Sequence, residues 1–146
     1  MKHLKNYYSV RTIQQFVTDI VDSCNHLEMV SGKQILILLK HKRKPKVGHH
    51  DSQYLKFIEH LETINLNFKL IDNQINLFGL LEKCDISISV PYTSTVYVAL
   101  ELKKNAIYYD PFSELIPLYE KNQFVHFASG QRELRQLLDK YLLPNW

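Results

Sequence analysis

Three short stretches hold most of the polar chemistry of this chain. Lys40, His41, Lys42, Arg43, Lys44 and Lys46 form a basic run directly after the apolar segment Ile35 to Leu39. Pro91, Tyr92, Thr93, Ser94 and Thr95 follow a second apolar stretch, and Asp110 and Glu114 follow a third. Lysine and arginine supply full positive charges, and arginine can grip two phosphate oxygens at once. Hydroxyls at the start of a helix add donors to its free backbone amides and its positive end, which is equivalent to roughly half an elementary charge. A diphosphate fits this set better than a neutral ligand. Lys42 and Arg43 would be the charge clamps in a phosphate-binding loop that also holds Lys40 and Lys44, and Thr93, Ser94 and Thr95 the hydrogen-bond donors. By position alone, Asp110 and Glu114 would accept from ribose or sugar hydroxyls, and Tyr92 would contact a base or sugar ring. No catalytic base can be picked out.

Each feature also has a plainer reading. Serine and threonine cap helices in proteins of every kind, so Thr93 or Ser94 taken alone is a cap. A basic run between two elements is ordinarily a solvated loop, and only the joint placement of the two stretches favours a ligand. His49 and His50 are adjacent and share no helix face, which favours a solvated loop over a metal site. His126, at a strand end, reads as structural. Cys24 and Cys84 read as free thiols, because there is no Cys-x-x-Cys pair and zinc needs three or four clustered ligands. No metal and no cofactor is expected. The glycine-rich phosphate loops, the serine-hydrolase elbow and the zinc-protease helix motif are all missing, so the enzyme classes that depend on them lack their machinery.

The elements that must position these groups alternate. Apolar residues at helical spacing run from Ile13 to Leu27 within a helix expected over residues 9–29, with Ser9 as its cap. A strand is expected at 34–39, and then the basic loop to His50. A second helix, capped by Asp51, follows with Tyr54, Leu55, Ile58, Leu61 and Ile64 on one side. Further strands are expected at 67–71, 85–90, 106–109 and 124–127, with helices at 73–84, 96–102 and 131–142; residues 112–123 read as a loop. Strands alternating with amphipathic helices predict right-handed crossovers and a parallel sheet covered on both faces. The expected fold is therefore a three-layer α/β/α Rossmann-like domain with a five-stranded, mostly parallel sheet in the order 2-1-3-4-5. In that order the basic loop and the hydroxyl turn would face each other where strand order reverses.

Composition bounds the rest. The 146 residues, 45% apolar and 23% charged, suit one globular domain, with residues 1–30 as an N-terminal helix and 33–142 as the α/β core. Eighteen basic residues against fifteen acidic ones leave a net charge of +3, too little to imply nucleic acid binding. The longest strictly apolar run, Ile35 to Leu39, is far short of the roughly 18 to 20 residues of a membrane helix. With no leader-like start, the chain is expected to be cytoplasmic.

Residues 84–95, CDISISVPYTST, followed by ALEL at 99–102 and NAIYYDP at 105–111, resemble the carboxyl-terminal half of bacterial polysaccharide biosynthesis proteins named for a Pro-Phe-Thr-Ser motif. A basic loop after an apolar strand, as in LLKHKR at 38–43, also occurs in those proteins. More distantly the pattern is similar to the donor-binding half of GT-B glycosyltransferases and CDP-glycerol glycerophosphotransferases. Pro91, Thr93 and Ser94 match the motif, Tyr92 stands where it has Phe, and Tyr108 to Pro111 match the strand end that follows. The resemblance, over roughly residues 33–142, implies the donor-binding half of a transferase that uses a nucleotide-sugar or CDP-alditol. In GT-B enzymes the acceptor domain precedes the donor domain, and this chain has room for the donor half alone. A partner chain carrying the acceptor half is thus one expectation, and a non-catalytic module that docks onto such a chain is the alternative.

Overall fold

The computed structural model describes residues 9–41, 52–117 and 122–143. These fall into two units that divide between Ile75 and Asn76, and each is taken by itself. The first holds α1 (Val10–Ser31), β1 (Ile37–Leu39), α2 (Ser52–Ile64) and β2 (Phe68–Leu70). Helix α1 begins where Ser9, in extended geometry, accepts the Thr12 amide on its hydroxyl at 3.4 Å. It ends at Gly32, whose φ of 74° lets the chain turn left-handed while its amide closes on the Glu28 carbonyl at 2.8 Å. Between these caps Phe16, Val17, Ile20, Val21, Cys24 and Leu27 are buried, as their spacing predicts. Burial pushes the Cys24 thiol up to about 12, and the nearby Glu28 carboxylate adds to the shift, so this sulfur is a packing group and not a nucleophile.

Strands β1 and β2 pair in parallel over three positions, from Ile37 opposite Phe68 to Leu39 opposite Leu70. So short a ladder is reinforced by side chains. The Asn67 amide nitrogen donates to Asn25 Oδ1 at 3.0 Å and to Glu28 Oε1 at 2.9 Å, while the other Glu28 oxygen accepts the Ile35 amide at 3.0 Å. Asn25 in turn donates to Asn65 Oδ1 at 2.9 Å. The two turns that lead into the strands are therefore tied to the end of α1. At the other end of β1, His41 Nε2 lies 2.6 Å from the hydroxyl of the buried Tyr54.

The second unit holds α3 (Leu77–Lys83), β3 (Ile86–Ser89), α4 (Thr95–Glu101), β4 (Asn105–Asp110), β5 (Val125–Ser129) and α5 (Gln131–Leu142). Asn76 caps α3 by accepting the Gly79 amide at 3.0 Å, and residues 73–76, expected to be helical, form the turn before it. The sheet is parallel in the order β3-β4-β5. Residues 106–110 of the central strand are all buried, and alternate side chains serve opposite faces. Ala106 and Tyr108 join Leu81, Val96, Ala99 and Val125 in one apolar cluster under α3 and α4. Ile107 and Tyr109 belong to the other face, where α5 packs on β5 and buries Leu134, Leu138 and Leu142. Ala99 and Ala106 have no exposed surface, and their small side chains let helix and strand approach closely.

The expectation of one five-stranded sheet in the order 2-1-3-4-5 is corrected. β1 pairs with β2 and β3 with β4, giving sheets of two and three strands. The neighbours 2-1 and 3-4-5 form; the pairing of β1 with β3 does not. The apolar run at 35–39 suggests a strand covered on both faces, yet its three paired residues are each only half-buried and Leu36 is 64% exposed. The α/β class and the parallel crossovers stand.

Asn67→Ala removes two side-chain hydrogen bonds from the β1–β2 stitching, and should lower the unfolding free energy in urea by about 1–2 kcal/mol. His126 supplies a pH test. Its Nε2–H donates to Asn105 Oδ1 at 3.1 Å and its ring stacks on Tyr141 at 4.5 Å; burial, with Lys140 adding, holds its pKa below the ordinary 6.5. The folded state prefers the neutral ring, so this contribution is complete above pH 6.5 and is lost as pH falls from there through the lower folded value. His126→Gln should flatten that part of the stability profile, and the native ring should titrate by NMR with a midpoint below 6.5.

Candidate functional site

A parallel sheet sends its loops out from the carboxyl ends of the strands, and in the second unit these are residues 90–95, 111–117 and 129–131. The first of them contains the hydroxyl segment. Pro91 is buried, which fixes the chain as it leaves β3. Tyr92 then takes a φ of 66°, a left-handed conformation that costs a non-glycine residue about 1–2 kcal/mol. What holds it there is visible. Its hydroxyl donates to the Ile116 carbonyl of the next loop, and its ring lies 5.7 Å from Tyr108 and 6.2 Å from Phe127. Tyr92 remains 36% exposed, so this aromatic group presents one ring to solvent.

The three hydroxyls that follow are used differently. Thr93 Oγ1 donates to the Val90 carbonyl at 2.8 Å and closes the turn, while the Thr93 carbonyl accepts from the Tyr108 hydroxyl at 3.4 Å. Ser94 stands at the N-cap of α4 in right-handed geometry and its side chain makes no capping bond; its carbonyl alone starts the helix, accepting the Tyr97 amide at 3.0 Å. The plain capping reading therefore does not describe the Ser94 hydroxyl, which is exposed. Thr95, half-buried, is the first residue of the helix. Among the described residues no hydrogen bond joins Ser94 Oγ to a histidine or a carboxylate. It can donate and accept hydrogen bonds.

Asp110 is the last residue of β4. Its side chain has no exposed surface, and Oδ2 accepts the Leu115 amide at 2.8 Å. Its carbonyl accepts the Gly130 amide at 2.8 Å and the Ser113 amide at 3.4 Å. A carboxylate this deep is held by a hydrogen bond from the backbone. Gly130, at φ 84°, completes the arrangement: a Cβ there would stand 3.2 Å from Ser113 Oγ. Glu114, half-buried, lies in the same loop.

Of the basic segment, Lys40 is half-buried just after β1 in the first unit. Lys42, Arg43 and Lys44 lie outside the described residues, as do His49 and His50. Sequence reasoning passed over two groups. Ser87 and Ser89 stand opposite Ala106 and Tyr108 in the β3–β4 register, and their hydroxyls are buried without a hydrogen-bond partner among the described residues. The alternation Ile-Ser-Ile-Ser at 86–89 was the available signal, since one face of that strand carries hydroxyls where a covered strand carries apolar side chains. Tyr108 and Phe127 were counted as strand residues, and their role in packing Tyr92 needs the register of neighbouring strands to be seen.

Among the described residues no helix is long and apolar enough to cross a membrane, and no three His, Cys, Asp or Glu side chains are grouped to hold a metal ion. No curated protein and no solved structure matches the chain. A family model does, over residues 1–138, a span that takes in both units and the whole of the turn at 91–95. The chain belongs to the polysaccharide biosynthesis PFTS motif family.

Proposed function

We propose that the chain serves polysaccharide biosynthesis by holding a nucleotide-activated donor, a nucleotide-sugar or CDP-alditol, at the turn that follows β3. The observation that carries this reading is the Ser94 hydroxyl, exposed and left unused by the helix it precedes. Ser94 and Thr95 would give hydrogen bonds to phosphate oxygens, and the exposed Tyr92 ring would lie against the base or sugar. Thr93 shapes the turn, and Glu114 would accept from ligand hydroxyls. In a complete transferase such donors stabilise the departing nucleoside diphosphate, whose negative charge grows toward the transition state. The base that deprotonates the acceptor hydroxyl would come from an acceptor-binding half, as in the GT-B arrangement. Lys40, Lys42, Arg43 and Lys44 enter this reading through their charge alone.

Thermal-shift and calorimetric titrations with UDP, CDP and GDP provide the test. A ligand that binds the native chain raises its melting temperature in proportion to RT ln(1 + [L]/Kd). At least one of the three should do so, and Ser94→Ala should weaken that ligand by about 1–3 kcal/mol, the cost of a charge-assisted bond. A similar loss in Arg43→Ala would assign the basic segment to the same ligand. If none of the three nucleotides binds, or if Ser94→Ala binds unchanged, the donor reading fails and a module that docks onto a partner chain becomes the better description.

A further inference from the structure

We infer that Asp110 is a positioning residue for the turn carrying Tyr92, Thr93 and Ser94, acting through the loop at 111–117; this rests on the reading of that turn as a donor site. The connection is a sequence of backbone and side-chain bonds. Asp110 ends the central strand with its side chain fully buried, and one carboxylate oxygen holds the Leu115 amide. Leu115 is itself buried, so this bond fixes the loop at a point inside the protein. The next residue, Ile116, is 59% exposed and offers its carbonyl to the Tyr92 hydroxyl. Tyr92 is the left-handed residue of the turn, two positions before Ser94. The loop therefore arrives at Tyr92 already anchored, and the anchored amide, of Leu115, is one residue away from the carbonyl that does the holding.

Two further features argue that the loop is built to be held in place. The Asp110 carbonyl also accepts the Gly130 amide, which ties the start of the loop to the end of β5. Ser113, inside the loop, is left-handed with a φ of 54°, and its hydroxyl sits against the space that Gly130 leaves open. A strained loop that ends on a strained turn keeps both conformations only while its anchor is intact. Without the Asp110 carboxylate the Leu115 amide would lose a buried acceptor, the Ile116 carbonyl would lose its fixed position, and Tyr92 would be free to return to right-handed or extended backbone. The Ser94 hydroxyl would then no longer be presented in one orientation.

The test compares Asp110→Asn, Asp110→Ala, Tyr92→Phe and the Asp110→Ala/Tyr92→Phe double variant in the full chain. Amide exchange at Tyr97, whose amide closes on the Ser94 carbonyl, reports on the turn, and exchange at Leu138 in α5 reports on the unit as a whole. Tyr92→Phe and Asp110→Ala should each speed exchange at Tyr97 by roughly tenfold and leave Leu138 within about twofold. The double variant should be no faster at Tyr97 than the faster single variant, because both changes cut one connection. Asp110→Asn, which keeps an accepting oxygen for Leu115, should recover most of the protection. Should Asp110→Ala fail to fold, Asp110→Asn and Tyr92→Phe decide: Tyr92→Phe should lose protection at Tyr97 while Asp110→Asn keeps most of it, and no change at Tyr97 in Tyr92→Phe overturns the proposal. Equal acceleration at Tyr97 and Leu138 also overturns it, since that is the mark of a purely structural residue. Nucleotide affinity separates the two readings. Coupled exchange in a chain that binds no nucleotide removes the donor reading and keeps the link between Asp110 and Tyr92; nucleotide binding with independent effects at the two positions does the reverse.

Discussion

The second unit depends on the burial of one strand. β4 is paired on both sides and covered on both faces, and residues 106–110 are withdrawn from water together. Every backbone group along it must then find a partner within the sheet, and its side chains must alternate between two apolar layers. Those requirements bring Ala106 under α4, Ile107 and Tyr109 to the α5 face, and Tyr108 to the place where Tyr92 can lean on it. They also carry Asp110 into the interior at the point where the strand stops. An ionisable side chain in that position needs hydrogen bonds, and it finds one in the amide of Leu115. The loop geometry at the strand end thus follows from the solvation needs of one carboxylate.

The first unit meets the same difficulty on a smaller scale. Three paired residues per strand give few ladder bonds, and the residues of β1 are only half-covered. Amide side chains do there what longer strands do elsewhere. Asn25, Asn65 and Asn67 with Glu28 fasten the turn regions that precede β1 and β2, and Glu62 Oε2 takes the Leu70 amide at the far end of β2 at 3.2 Å. Such a unit gains its definition from polar contacts near its rim as well as from the apolar stripe of α1.

Much of the local structure was legible in the sequence, because helical spacing and short apolar runs reflect which side of an element is covered. Val125 to Ser129 and Asn105 to Asp110 form close to the expected limits, and α1 carries the predicted cap and stripe. Lateral pairing was less legible. Nothing in the residues of β1 or β3 says which edge a strand will offer, so the order 2-1-3-4-5 joined two groups of strands that the structure keeps as separate sheets. At the turn, residue types alone could not apportion the hydroxyls: Thr93 and Ser94 are adjacent and chemically alike, yet one closes on Val90 and the other makes no capping bond to its helix. Tyrosine gives no signal for a left-handed backbone, so the conformation of Tyr92 could be seen only with its partners in place. Asp110 was noticed for its position beyond a strand; its burial, which decides its role, depends on neighbours distant in sequence.

The order in which the layers of the second unit are completed follows from its topology. β3, β4 and β5 are neighbours in the sheet in the same order as in the chain, so each crossover can settle on what has already formed, and few contacts must wait for distant segments. One face is furnished early, by α3 and α4. The opposite face, with Ile107 and Tyr109, has to wait for α5, which follows all three strands in the chain. Until that helix arrives, a nascent chain displays an apolar sheet surface of the kind that chaperones bind and that drives aggregation.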